Sequence, residues 1–171
     1  MSAQDPFPAM PKHLVPIVAT VFVMLFLWLS AVPLLSWYEF SAYHQELADE
    51  SFQWRHRGIV NYSFEFESRN LKTRPDPGPI RIHVRDAKFL AAYRIDTHTL
   101  VGTAELADVP ETIDSAFEMV RALLEAHPYR IDIEYDADLH YPKRMSVSYS
   151  DLSHDGVTYY IRWFERDYDR P

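Results

Sequence analysis

Hydropathy divides the chain sharply. Residues 14–38 read LVPIVATVFVMLFLWLSAVPLLSWY, 25 positions without one Asp, Glu, Lys, Arg or His. As a helix that run would reach about 37 Å against roughly 30 Å of bilayer hydrocarbon, which predicts a transmembrane helix over 14–38. Trp37 and Tyr38 would then lie at the membrane interface, at headgroup depth, where amphipathic rings collect. Pro16 falls in the first turn and Pro33 near the far end, where it weakens the last turns. A cleaved signal peptide has a shorter apolar region and a small-x-small site, and Ser30-Ala31-Val32-Pro33 offers no Ala-x-Ala pattern. A helix buried in a protein core would need more chain around it than the remainder supplies. An uncleaved signal anchor is the expected reading.

Ahead of the apolar run, residues 1–13 (MSAQDPFPAMPKH) hold three prolines and no periodicity, which predicts a disordered N-terminal tail. Behind it, residues 39–57 lack Pro and Gly and place Tyr43, Leu47 and Trp54 on one helical stripe, a juxtamembrane or stalk helix. Residues 58–171 then switch to period two. Tyr62, Phe64 and Phe66 alternate with Ser63, Glu65 and Glu67; Ile80, Ile82 and Val84 alternate with Arg81, His83 and Arg85; a third strand runs from Phe89 to Ile95. Asn70–Pro79 has three prolines and a glycine and is a loop.

Thr112 is the expected N-cap of a helix whose stripe is Ile113, Phe117, Val120 and Leu124, stopped by Pro128. Three more strands follow, through Ile131–Tyr135, Met145–Tyr149 and Tyr159–Trp163, with Asp155-Gly156 as a turn signal between the last two. The fold class predicted is α+β: an N-terminal single transmembrane helix, then a mostly antiparallel sheet of five or six strands in the order βββ-α-βββ, with one long helix packed on it.

Charge narrows the classes of partner. The chain carries 17 Lys+Arg and 25 Asp+Glu, a formal net charge of −8, and Asp5 and Lys12 are the only such residues before Glu39. The whole excess of acid therefore belongs to the part beyond the apolar run, which argues against nucleic acid as a partner. Lys12 on the near side and the late appearance of Arg55 and Arg57 on the far side orient the predicted span with its N-terminus in the cytoplasm. The expected location is a single-pass protein of the bacterial inner membrane with a periplasmic C-terminal domain, and the expected partners are the lipid bilayer and another membrane protein. With no Cys, disulfides, thiolate zinc sites and Cys nucleophiles are excluded.

Candidate chemistry is sparse. Asp136, Asp138 and His140 fall within five residues and could hold a cation; the competing reading is a turn in which the carboxylates cap nearby backbone N–H groups. The remaining histidines are scattered, and no nucleophile elbow, phosphate loop or dinucleotide fingerprint is present, so no catalytic residue, enzymatic activity or cofactor is assigned. Arg81, His83 and Arg85 form a basic row that ion pairs to Glu65/Glu67 or Asp132/Glu134 would explain without an anion. At the C-terminal strands Tyr160 and Phe164 alternate away from Tyr159, Ile161 and Trp163. Together with Trp54 they are the expected partner contacts.

Trp54 followed by Asn61-Tyr62-Ser63-Phe64-Glu65-Phe66, then Ile80–Asp86, then Thr112-Ile113-Asp114 before Phe117, and finally Ile133-Glu134-Tyr135-Asp136 with His140-Tyr141-Pro142, come in a telling order. Over Trp54 to Phe164 this resembles a family of uncharacterised bacterial envelope-anchored domains. Members have Gly where His140 stands and commonly carry cysteines, and this chain departs on both points. The resemblance implies an envelope location and no activity. The function expected is a membrane-anchored binding or scaffolding domain, an accessory subunit of an inner-membrane complex. The alternative is a metal- or small-ligand-binding envelope protein, enzymatic or not, using the Asp136/Asp138/His140 loop.

Overall fold

The computed structural model describes Thr20 and residues 24–26, 41–70, 78–151 and 155–167. The chain forms two compact units, Met1–Ala42 and Tyr43–Pro171. In the first, Thr20 and Met24–Phe26 are helical and exposed. Among the described residues no helix is long and apolar enough to cross a membrane, which corrects the expected transmembrane helix over 14–38. A span needs one helix of about 20 residues, and of residues 14–38 only Thr20 and Met24–Phe26 are among the described residues. The single-pass anchor, the cytoplasmic N-terminus and the periplasmic placement rested on that helix and are withdrawn with it. Residues 1–13, Trp37 and Tyr38 lie outside the described residues.

The second unit begins with α1, helical residues 43–56. It continues through β1 (Tyr62–Asn70), β2 (Ile80–Arg85), β3 (Lys88–Arg94), a 3-10 turn (Thr103–Leu106), α2 (Ile113–Glu125), β4 (Arg130–Tyr135), β5 (Pro142–Ser148) and β6 (Gly156–Arg166). The six strands make one antiparallel sheet in the order β3-β2-β1-β6-β5-β4. Two three-stranded meanders are thus joined along β1 and β6, and α2 carries the chain from one outer strand to the other.

Alternation along β1 and β2 gives the core directly. Tyr62, Phe64, Phe66, Ile80, Ile82 and Val84 are all buried on one face, joined by Met145, Val147 and Ile161. Over them lie Ile113, Phe117, Val120 and Leu124 of α2, with Leu47 and Trp54 of α1. Thr112 caps α2: its Oγ1 accepts from the Ser115 N–H at 3.0 Å, and the Ser115 Oγ accepts from the Thr112 N–H at 2.8 Å.

One long helix on the sheet is also corrected. The covering helix α2 has 13 residues. Six strands at about 4.8 Å spacing span roughly 24 Å, more than twice the width of a helix, so one helix leaves apolar surface uncovered. α1 covers part of the rest and is therefore a component of the domain, where a free stalk was one expectation. The Tyr43 hydroxyl donates to the Ile131 carbonyl on β4 at 3.2 Å, the Arg57 guanidinium donates to the Asp138 carbonyl, and Arg55 meets Asp114 of α2 at 3.6 Å. Val101 and Leu106 are buried in the segment that follows β3.

The β2–β3 hairpin turns at Asp86 and Ala87, both left-handed with φ 52° and 58°. This is the geometry in which glycine is favoured at the second position, because Ala places a Cβ against its own carbonyl. Ala87→Gly should therefore stabilise the protein by about 0.5–1 kcal/mol, relief of strain outweighing the extra freedom of the unfolded chain. Urea unfolding of the full chain checks this. An unchanged or lower midpoint would show that the turn is not strained.

Candidate functional site

Both helices lie on one face of the sheet, and the opposite face carries its polar side chains in rows. Glu65 and Arg81 are direct cross-strand partners, with the guanidinium 2.5 Å from the carboxylate. The same guanidinium stacks over the Trp163 ring, 4.3 Å from its centroid. Glu67 is buried and takes Arg69 at 2.5 Å and Arg162 at 3.0 Å. Both of those guanidiniums lie over the ring of Tyr160, at 5.5 and 4.9 Å. Farther along, Arg144 reaches Asp132 at 2.7 Å and Glu134 at 3.2 Å, and these bonds hold its guanidinium protonated beyond the ordinary arginine range. Of the basic row read from the sequence, Arg81 meets a carboxylate on the neighbouring strand and His83 meets Ser63, and an exposed ion pair of this kind contributes only tenths of a kcal/mol.

The decisive local feature is a bulge in β6. Phe66 pairs with Ile161 and Phe64 with Phe164, so three steps on β6 match two on β1. The extra residue reverses the alternation. Phe164 therefore turns inward with Ile161, stacking on Tyr62 at 5.3 Å and Tyr141 at 5.2 Å, while Trp163 turns to the outer face and stays 41% exposed. Trp54 meets Tyr62 and Phe164 edge-on, at 5.6 and 5.7 Å, and is 3% exposed. Of the three expected partner contacts, Trp54, buried, and Phe164, half-buried, are thus brought together on the helix-covered face. A strict two-residue period was assumed there, and the bulge breaks it. Tyr160 alone stays on the outer face, beside Trp163, which unbroken alternation would place with Ile161.

Pairing between β5 and β6 runs from Ser148–Gly156 to Arg144–Tyr160. Beyond it lies a cleft of about 640 Å³ whose wall includes Tyr160, Arg162, Trp163, Arg144, Lys143 and Glu134. Asp136 and Asp138 also border the cleft, at the β4–β5 turn.

That turn explains the acidic cluster. The Asp136 Oδ1 accepts from the Asp138 N–H at 3.1 Å and the Leu139 N–H at 2.9 Å, and the Asp136 and His140 amides close the turn onto Tyr141 and Asp136 carbonyls, each at 2.9 Å. His140 adopts φ 68°, a conformation in which glycine meets no strain, and its Nδ1 lies 2.8 Å from Glu50 on α1. Asp136 is committed to backbone amides and His140 to a helix, so the turn does not converge the three on one point. Among the described residues no three His, Asp or Glu side chains group as metal ligands.

Register exposes a further pair. Ser63 and His83 are cross-strand partners, with Ser63 Oγ 2.9 Å from His83 Nδ1 and 3.5 Å from an Asp167 carboxylate oxygen. The three residue types match a hydrolytic triad, but the carboxylate approaches the serine where a triad has it orient the imidazole, and Ser63 is 2% exposed. The geometry is that of a hydrogen-bond chain centred on a buried serine. Only the pairing of β1 with β2 could have revealed it in advance.

Residues 46–166 match a family of unknown function, DUF6174. The chain belongs to that family. Its matched stretch opens within α1 and closes at Arg166, the last residue of β6, so the DUF6174 unit includes the docked helix as well as the sheet. Neither the curated proteins nor the solved structures contain a match to this chain. The family carries no catalytic assignment.

Proposed function

We propose that the chain is a non-catalytic binding domain that recognises a protein partner on the helix-free face of its sheet, seated over Tyr160 and Trp163. The observation that carries this reading is the β6 bulge. It removes a tryptophan from the core, holds it half-exposed under the Arg81 guanidinium, and opens the adjoining cleft. Trp, Tyr and Arg are the side chains that dominate binding at protein interfaces, since they bring large area and directed polarity at low cost in conformational entropy. Here they are already immobilised, Tyr160 between Arg69 and Arg162 and Trp163 beneath Arg81, so little ordering remains to oppose association. A domain that holds a partner without turning over a substrate acts as an accessory or scaffolding subunit.

The test is quantitative co-purification from native cells with the tagged full-length chain, the Trp163→Ala/Tyr160→Ala double variant, and an Arg121→Gln control on α2. At least one protein should be retained by the wild type and the control and fall about tenfold or more with the double variant, as removal of an interface hot spot implies. Equal recovery by all three baits would overturn the proposal, as would no specific recovery by any.

A further inference from the structure

A second cleft, of about 320 Å³, opens at the other side of the same face and is lined by Arg81, His83, Tyr93, Arg94, Ile95 and His98. No carboxylate belongs to that wall, although the chain as a whole is acidic with a net charge of −8. Every ionisable group in it other than the Tyr93 phenol is a cation or can become one.

The available hydrogen bonds are one-sided too. Glu65 occupies one terminal nitrogen of Arg81, yet the Arg81 Nε is buried without a hydrogen-bond partner. A guanidinium N–H left so is costly, and the Arg81 side chain, 39% exposed, keeps further N–H groups to offer an acceptor in the cleft. His83 engages Ser63 through Nδ1, which leaves Nε2 as the ring nitrogen for a ligand. Its ring is held edge-on to Tyr93 at 5.7 Å. Arg94, anchored by Glu105, adds a second guanidinium, and the exposed His98 closes the rim from the turn after β3.

We infer that this cleft binds a phosphate group. A planar carboxylate is best satisfied by one guanidinium fork, whereas donors arriving from β2, β3 and the following turn surround a centre and suit a tetrahedral oxyanion with several acceptor oxygens. The volume exceeds what the bare ion fills and falls at the lower end of the range for small-molecule sites, with Tyr93 and Ile95 as apolar wall. The group it takes is therefore a small phosphate monoester, with inorganic phosphate as the minimal form. This cleft shares Arg81 with the partner-binding face but not His98, so loss of phosphate binding in His98→Asn, with Arg81, Trp163 and Tyr160 intact, separates the two readings.

Calorimetric titration of the full-length chain with inorganic phosphate and with phenyl phosphate, at matched ionic strength, tests it. Saturable binding of phenyl phosphate is expected, with His98→Asn and Arg81→Gln each weakening it about fivefold or more and Arg121→Gln leaving it unchanged. Asn is chosen at position 98 because that backbone is left-handed, φ 54°, and Asn tolerates it. Tighter binding of phenyl phosphate than of phosphate assigns the ester as ligand, and equal binding assigns the free ion. Absence of saturation by either probe up to on the order of 10 mM would overturn the inference, as would equal weakening by the Arg121 control. A thermal melt of each variant separates loss of the site from loss of the fold.

Discussion

Trp54→Ala should lower the unfolding free energy by about 3–5 kcal/mol, a large part of the 5–15 kcal/mol that a domain of this kind possesses. Trp54 is buried, and its ring makes edge-on contacts with both Tyr62 and Phe164, one from each central strand. Truncation thus leaves a cavity at the point where α1 meets the junction of the two meanders. The cavity cannot close by a local shift, because Tyr62 and Phe164 are themselves stacked at 5.3 Å and Phe164 is held from the other side by Tyr141. Trp54→Phe should recover part of the loss. In a double-mutant cycle with Phe164→Leu, a coupling of about 0.5–1.5 kcal/mol is expected for the aromatic pair. Urea unfolding of the full chain followed by far-ultraviolet circular dichroism supplies all four values. A loss below about 1 kcal/mol would mean that α1 rests on the domain without being part of its cooperative unit.

Elements whose pattern is short-ranged were legible in the sequence, and features that depend on distant partners were not. Tyr62, Phe64 and Phe66 announce an inward face through alternation alone, and Thr112 announces α2 because its cap is closed by Ser115 three residues on. Ion pairing of Arg81 with Glu65 could be foreseen as one of two options, since opposite charges on alternating strands need only to become neighbours. The β6 bulge is different in kind. Whether Ile161 and Trp163 share a face depends on how β6 meets β1, and nothing within IRWF decides between an unbroken period and an extra residue. The exchange of Trp163 for Phe164 between the two faces follows from that register, and the Ser63–His83 pair from the register of β1 on β2.

Alkaline pH should unfold the protein through its buried phenols. Burial is the main cause that pushes Tyr62 up to about 12; the Ile113 N–H donated to its oxygen pulls the other way, and Asp114 adds to the rise. Tyr141 is pushed to about 12 by burial and then by Asp136. Tyr135 and Tyr159 are raised as well, again chiefly by burial. In each case the folded state keeps a proton that the unfolded chain releases near 10. The stabilisation is thus fully present below about pH 10 and is lost as pH rises through about 12. Two pH units correspond to roughly 3 kcal/mol per phenol, so Tyr62 and Tyr141 together withdraw several kcal/mol, a large share of the stability of a small domain. Phenolate absorbance at 295 nm and circular dichroism, recorded together from pH 8 to 13, give the reading. The buried tyrosines should ionise only in step with the collapse of the fold. Tyr62→Phe should start from lower stability at neutral pH, because the Ile113 N–H loses its acceptor, and should lose less of it on the way to pH 12. Titration of all eleven tyrosines in one smooth wave near 10, with the dichroism unchanged, would show that these rings are not sealed in the core.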